Sequence, residues 1–279
     1  MKPLLVEELF GLGGKTVVVT GACGFLGRHF VRALLGAGGR VIMMSHSDAM
    51  NQHLRTYVEE FGESKVAARQ IDFYKRDLLE QTLKRLVAEE KVDVLVNNAY
   101  DFSPRTGFNT PEGRLEDSTL DHWQAAFESG ISWAVLTTQL IGKQMKDRGG
   151  GSIINISSMY GLVSPNLKLY EGTSFMNPPS YGVVKAGLLA FTRYVSSCWG
   201  KYNVRCNALV PGAFTNTEEE SYNSVAPDDL FLKRLEERTL LNRVGKPRDL
   251  LGALIFLASD ASGYVTGQAI VVDGGWTVT

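Results

Sequence analysis

A tyrosine and a lysine stand four residues apart in "SYGVVK" (180–185), at the start of a long apolar stretch. On a helix, positions i and i+4 share a face about one turn apart, so the phenol of Tyr181 and the ammonium of Lys185 would lie side by side. An unperturbed phenol has a pKa of about 10. Acting as a base near pH 7 requires a shift of roughly three units, ~4 kcal/mol. One ammonium at ~4 Å, under an effective dielectric near 20, supplies about that much. The pair is a candidate for proton transfer. Two surface residues on one helical turn give the same spacing by chance, so the rest of the chain decides.

A second chemical feature lies in "VVVTGACGFLGRHF" (17–30), a glycine-rich turn between a strand-like run and a helical one. In that context glycines cradle phosphates. Gly21 makes the tight turn, Gly24 lets the backbone approach a pyrophosphate, and Gly27 lets the helix lie close on the sheet. Cys23, Phe25 and Leu26 complete the cradle. The helix then offers free N–H groups and its positive dipole end to the phosphates. Dinucleotide-binding folds that prefer NAD usually place an acid at the end of the second strand, on the ribose hydroxyls. Here "VIMMSHSDAM" has Ser45 and His46 there, and the first acid is Asp48. The missing acid removes a repulsion against a 2′-phosphate, which points towards NADP(H) within an NAD(P)(H) site. "QIDFY" puts Asp72 at a strand end, able to accept from an adenine amino group, with Phe73 beside it. "VNNAY" puts Asn97, Asn98 and Ala99 where the cofactor would lie against the sheet edge.

These residues need a scaffold that brings several strand ends together. "TVVVT" (16–20), "RVIMM" (40–44), "KVAARQI" (65–71), "VDVLVN" (92–97), "SIINIS" (152–157), "VRCNALV" (204–210) and "AIVV" (269–272) are short apolar runs bounded by turn residues. They suit strands buried on both faces. Amphipathic stretches such as "LGRHFVRALLGAG" and "YKRDLLEQTLKRLVAEE" lie between them. This alternation predicts an α/β chain: one doubly wound Rossmann domain over 1–279, with a seven-stranded parallel sheet and helices on both faces. Residues 1–14 read as a short N-terminal extension, and about 159–179 and 213–240 as substrate-loop insertions.

With 279 residues, 44% of them hydrophobic, and a net charge of −1, the chain can bury a substantial core. The charge argues against nucleic acid or an anionic membrane as a partner. The longest uncharged apolar stretch, "LLGALIFLAS" (250–259), is about half of a membrane span. Glu7 and Glu8 interrupt any secretory signal. The three cysteines, Cys23, Cys198 and Cys206, are odd in number and lack metal spacing, which fits a reducing compartment. A soluble, cytoplasmic protein acting on a small molecule is expected.

Taken with "NISS", "NALVPG", "RVGKP", "LIFLASDASGYVTGQ" and "VVDGGW", these motifs resemble the classical short-chain dehydrogenase/reductase family from about residue 9 to the C-terminus. The resemblance implies an NAD(P)-dependent oxidoreductase in which Tyr181 moves the proton while the nicotinamide moves the hydride. It implies that Lys185 also holds the nicotinamide ribose, and that Ser158, the second serine of "NISS", bonds the reacting oxygen. It further implies that Pro211 and Gly212 pack beside the nicotinamide. Thr215 is the candidate for its carboxamide, although Thr215 and Thr217 flank the expected position, which Asn216 holds. A homotetramer or dimer is implied as well, built on the paired long helices and the C-terminal strand region.

Three departures qualify this. The glycine turn reads TGxxGxxG, the spacing of extended family members that carry a further substrate domain. The helical position where the family usually has a relay asparagine is Gly130 in "FESGISWAV", with Ser129 and Ser132 as candidate substitutes. A mid-helix glycine costs roughly 1 kcal/mol against alanine, so a local kink is expected there. Finally, "MYGLVSPNLKLYEGTSFMNPPS" (159–180) is a long insertion before Tyr181 that should overhang the substrate pocket. A similar "YEGT"-bearing insertion occurs in family members of bacterial flagellin-glycan pathways, so a sugar, sugar phosphate or polyol is the expected substrate. Tyr100, Ser158, Tyr160, Glu171 and Thr173 are the candidate contacts, with Lys168 and Asn166 also able to bond a polyol. On this reading the insertion is too polar to form a greasy lid. The alternative is a catalytically impaired dinucleotide-binding regulator or scaffold, with Gly130 marking a decayed relay.

Overall fold

The computed structural model describes residues 5–216 and 229–279. Its elements run α1 (Val6–Phe10), β1 (Thr16–Thr20), α2 (Phe25–Gly36), β2 (Arg40–Ser45), α3 (Met50–Phe61), β3 (Val66–Gln70), α4 (Arg76–Glu89), β4 (Val94–Asn97), α5 (Leu120–Phe127), α6 (Trp133–Thr137), α7 (Lys143–Asp147), β5 (Gly151–Ile156), α8 (Pro179–Trp199), β6 (Val204–Pro211), α9 (Leu230–Arg238), α10 (Arg248–Ala258) and β7 (Ala269–Val272). The strands form one sheet in the order β3-β2-β1-β4-β5-β6-β7, and every pairing is parallel. All seven strands fall where the apolar runs placed them, within one or two residues at each end.

The reason is visible along β1. Val17 and Val19 belong to one core and Val18 to the other, because successive side chains point to opposite faces of a sheet. One layer packs Phe30, Val31 and Leu34 of α2 and Leu250, Leu254 and Leu257 of α10 on the sheet. The other packs Leu79, Leu83 and Leu86 of α4 with Trp133, Ile141 and Val195. A buried side chain of this kind stabilises the fold by ~1.5–3 kcal/mol, so these two layers hold the strand ends in place.

Chain order reverses between β1 and β4, the topological switch point at which ligands bind in such sheets. The N-terminal extension docks through Leu12, whose side chain is buried and whose N–H donates to the Ala37 carbonyl. The first insertion folds into short 3₁₀ turns at Met159–Gly161 and Leu167–Leu169. Of the second, the structure describes 213–216 and α9, where the Asp229 side chain caps the helix by accepting from the Phe231 N–H at 2.7 Å. Thr217 and the acidic stretch through residue 228 lie outside the described residues. Among the described residues, no helix is long and apolar enough to cross a membrane.

Candidate active site

Helix α8 begins at Pro178 and Pro179, with proline at the first helical position, where its fixed φ suits the helix and its missing N–H costs nothing. Tyr181 and Lys185 follow on one face, and both are buried, 9% and 4% exposed. The Lys185 Nζ donates to the Ile156 carbonyl at 2.9 Å. It sits 5.5 Å from the centre of the Tyr181 ring and 5.1 Å from that of Tyr100. At the end of β5 the two serines diverge. The Ser157 hydroxyl donates to the Lys185 carbonyl at 2.8 Å, while the Ser158 hydroxyl accepts from the Tyr160 N–H at 3.2 Å and lies beside the Tyr181 phenol.

Burial dominates the electrostatics. It pushes the Tyr181 phenol up to about 12, with the Ser158 hydroxyl opposing the shift and Tyr160 adding to it. It pulls Lys185 down to about 7. The sequence suggested a phenol drawn down by the neighbouring ammonium. The structure differs because a buried ammonium is itself disfavoured, so it carries little charge at the pH where the phenol would have to ionise.

Gly130 lies in a π-helical turn over Glu128–Ser132, between α5 and α6. Such wide turns recur at functional sites, and this one takes the place of the expected kink. A side-chain carbon at Gly130 would lie 2.5 Å from Cγ2 of Val184 and 3.3 Å from Cε2 of Tyr100. Ser129 and Ser132 turn back on their own helix, bonding the Ala125 carbonyl at 2.9 Å and the Phe127 carbonyl at 3.4 Å.

The glycine turn stands at the switch point. Gly21 has φ +63°, and a Cβ there would lie 2.9 Å from the Ala99 Cα. A Cβ on Gly27 would lie 2.1 Å from the Gly21 carbonyl oxygen, and one on Gly24 3.3 Å from it. Gly24 precedes α2, which starts with Phe25, Leu26 and Gly27 and has no side-chain cap on its first N–H groups. Asn98 is locked onto the turn by its amide, which donates to the Thr20 and Gly21 carbonyls, both at 3.1 Å. The Thr20 hydroxyl accepts from the N–H groups of Asn98 and Ala99. Cys23 packs its thiol against the Met50 sulfur at 3.6 Å and bonds to Ser45; burial raises its pKa and the Ser45 bond opposes the rise. Ser45 is buried at the end of β2, and His46 is exposed.

Asp72 closes a turn by accepting from the Tyr74 N–H at 3.0 Å, and Phe73 is buried against Trp133. At the other end of the cleft, Pro211 ends β6, and the Gly212 N–H donates to the Val272 carbonyl at 2.9 Å. Among the described residues, the buried Thr215 hydroxyl has no hydrogen-bond partner. Buried polar groups are normally paired.

The insertion before Tyr181 differs from its sequence reading. Asn166, Lys168 and Glu171 are exposed, and the Thr173 hydroxyl is tied to the Tyr170 carbonyl at 2.9 Å. The inner side is aromatic. Tyr160, Tyr170, Phe231 and Trp276 form one buried cluster with Tyr181, with Tyr100 and Phe175 packed against it. Phe175 stacks on Phe231 at 4.8 Å, and the Tyr160 and Tyr170 hydroxyls meet at 3.0 Å. The polar side chains face outward because a turn-rich segment has no period from which the inward side can be read.

Sequence reading also missed the buried polar bracket behind the site. The Asn97 amide donates to Asn155 at 2.9 Å and Thr138 at 3.1 Å. Thr137 donates to Asn97 at 2.7 Å, and the Asn155 amide to Thr192 at 2.9 Å. The available signal was an asparagine inside each of two otherwise apolar strands, which demands partners.

A protein-family model described as enoyl-(acyl carrier protein) reductase matches residues 21–277. The 7alpha-hydroxysteroid dehydrogenase of Bacteroides fragilis is 31% identical over 275 residues, covering 95% of each chain. The L-rhamnose 1-dehydrogenase (NAD(P)(+)) of a Sphingomonas species is 34% identical over 275 residues, 96% of this chain and 98% of its own. Among solved structures, a gluconate 5-dehydrogenase from Burkholderia cenocepacia, in complex with NADP and tartrate, superposes with a TM-score of 0.83 at 26% identity, covering 99% of this chain and all of its own.

Proposed function

This chain belongs to the short-chain dehydrogenase/reductase family, and we propose that it interconverts a secondary alcohol and a ketone on a sugar or polyol, with Ser158, Tyr181 and Lys185 as its catalytic residues. It is an NAD(P)-dependent oxidoreductase. The observation that carries the residue assignment is the convergence of the Ser158 hydroxyl, the Tyr181 phenol and the Lys185 ammonium at the strand ends that also carry the glycine turn.

The residues present fit a nicotinamide dinucleotide. The close approaches at Gly21, Gly24 and Gly27 leave backbone and the uncapped start of α2 to meet a pyrophosphate. Cys23, Phe25, Leu26, Asn98 and Ala99 line that turn, and Asp72 with Phe73 stands at the adenine end. Ser45 and His46 present no acid to a 2′-phosphate, which supports NADP(H). The orphaned Thr215 hydroxyl would bond the carboxamide, beside Pro211 and Gly212. The bound nicotinamide supplies or accepts the hydride.

The protein's own part is to move one proton. Tyr181, with its pKa raised to about 12, is in its acid form near neutrality and gives its proton to a carbonyl oxygen held by Ser158. In oxidation the phenol must first lose its proton to solvent, and the phenolate then takes the proton from the alcohol. Proton transfer of this kind typically contributes ~10²–10⁴ in rate.

The sugar or polyol class is supported by the rhamnose and gluconate dehydrogenases among the relatives and by the aromatic wall of Tyr100, Tyr160 and Tyr170 beside Tyr181, whose rings suit the C–H face of a sugar. Glu171 and Thr173 would act from the rim. A steroid dehydrogenase is also among the relatives, and the inner wall is apolar enough for one, so both classes belong in a substrate panel. A cytoplasmic location is supported by three unpaired cysteines. A homotetramer or dimer is supported by exposed Val183 and Tyr194 on α8 and Val271 on the edge strand β7. The test is titration with NADPH and NADH, followed by nicotinamide fluorescence. Tighter NADPH binding supports this reading, and binding of neither cofactor overturns it.

A further inference from the structure

We propose that Tyr100 is a positioning residue that holds the Lys185 ammonium through the face of its ring, in the space that Gly130 leaves open; the proposal rests on the dehydrogenase reading above. Tyr100 follows β4 in "NNAY", on the loop that also carries Asn98 and Ala99. Its ring meets Tyr181 edge-on at 5.2 Å and 78°, and it is braced by Phe102 at 4.8 Å. The Lys185 Nζ lies over it at 5.1 Å and over Tyr181 at 5.5 Å, both within the ~6 Å over which a ring face attracts a cation.

The ammonium needs that help. It has three N–H donors and, among the described residues, one hydrogen bond, to the Ile156 carbonyl at 2.9 Å, yet it is 4% exposed. Two ring faces supply the negative potential that water or a carboxylate would supply elsewhere. The groups around it are Ile156 at the end of β5 and Ser157 just after it, Tyr181 from its own helix with Tyr160 beyond, and Tyr100 from the β4 loop. Behind Tyr100, the Asp101 carboxylate is held by the Tyr74 hydroxyl at 2.6 Å. Burial is the cause of the Lys185 shift, and among the described residues no charged neighbour contributes to it.

The ring can stand there because residue 130 has no side chain. A Cβ at that position would lie 3.3 Å from the Tyr100 Cε2 and 2.5 Å from Val184, so a larger residue would crowd the ring as well as the valine. The Tyr100 hydroxyl is buried beside the Thr106 side chain, and it is the ring that meets the ammonium. Tyr100 was expected only as a substrate contact; its ring also acts through Lys185.

The test uses Tyr100→Phe, which keeps the ring, and Tyr100→Leu, which removes it. Lysine side chains labelled with ¹³C at Cε are titrated by NMR in the protein without substrate, and the Lys185 signal is assigned from Lys185→Met. Tyr100→Phe should leave the Lys185 titration unchanged. Tyr100→Leu should lower it by about one pH unit, a tenfold loss in proton affinity, which is the scale of a desolvated cation–π contact. Turnover should fall about tenfold in the Leu variant. An unmoved or raised Lys185 titration in Tyr100→Leu overturns the proposal, as does a Lys185 titration lowered as far in Tyr100→Phe as in Tyr100→Leu. If Tyr100→Leu does not fold, Tyr100→Met fills the volume without a ring face and is read by the same criteria. Because the NMR titration needs no turnover, a failure of the dehydrogenase reading would leave this result standing or falling by itself.

Discussion

Gly130 and Val184 are complementary in size across the packed α5–α6 and α8 helices: a carbon added at Gly130 would sit 2.5 Å from Cγ2 of Val184 and 2.8 Å from its Cβ. Side-chain carbons do not approach so closely, so one of the two positions must be small. The glycine is part of how the helices pack, and it does not mark an emptied relay position. Gly130→Asn alone is expected to overpack the interface at a cost of ~1–3 kcal/mol and to lower both melting temperature and turnover. Gly130→Asn with Val184→Ala should recover most of the melting temperature. Thermal unfolding and initial rates on the three variants check this, and a gain in turnover from Gly130→Asn alone would contradict it.

Tyr181→Phe removes the proton donor while keeping the ring that packs against Tyr100, Phe102 and Phe108. Cofactor affinity should stay within about twofold, because the glycine turn is untouched. Turnover should fall by ~10²–10⁴, the usual scale of general acid–base catalysis. Steady-state rates beside a fluorescence titration separate the two effects, and substantial residual turnover would remove Tyr181 from its assigned role.

Lys185 provides a pH signature in stability. Its folded pKa of about 7 lies below the ordinary 10.5, so below pH 7 it is charged in both states and its burial weakens the fold. Between about 7 and 10.5 only the unfolded chain binds that proton, so this contribution to stability rises with pH. Lys185→Met lacks the titration. The variant's melting temperature relative to the wild type should therefore be highest near pH 6 and should decline steadily to pH 9. Tyr181, raised to about 12, adds its own change only above pH 10, outside that range. A difference that stays constant from pH 6 to 9 would show that Lys185 is not depressed.

Cofactor choice is testable at the end of β2. Ser45 is buried there, its hydroxyl accepting from the Ser47 N–H at 3.3 Å and joined to the Cys23 thiol. An acid at this position would repel a 2′-phosphate and favour free ribose hydroxyls. Ser45→Asp should lower the ratio of NADPH to NADH affinity at least tenfold, about 1.4 kcal/mol. An unchanged ratio in paired titrations would move the 2′-recognition away from Ser45.

What the sequence revealed and what it hid follow from one physical difference. Strands buried on both faces read as continuous apolar runs, so β1 to β7 were visible, and the helical period placed Tyr181 and Lys185 on one face. Gly130 was visible as an odd residue, but not the π-helical turn around it or the Val184 methyls that close on it. Those depend on how two helices meet, which no local pattern encodes. The Tyr181 pKa went the other way from expectation for the same reason: spacing shows which charge is near, and only the packed structure shows how little water is. In the insertion, the exposed Asn166, Lys168 and Glu171 suggested a polar lining, and no period showed that Tyr160, Tyr170 and Phe175 face inward.

That aromatic face yields the last prediction. Phe231 of α9 stacks on Phe175 at 4.8 Å and lies 5.3 Å from Tyr170, while Arg234, one turn on, donates to the Leu169 carbonyl at 3.2 Å. These contacts clasp the first insertion over Tyr181, and none of them reaches the glycine turn. Truncating a buried phenylalanine in a rigid core typically costs ~3–5 kcal/mol. Here the insertion is a surface segment that can open locally, so Phe231→Ala should loosen the clasp and leave the sheet intact. The KM for the alcohol should rise about tenfold or more, while cofactor affinity stays within about twofold. If cofactor affinity falls in step with substrate affinity, the cluster is part of the common core and does not act as a substrate lid.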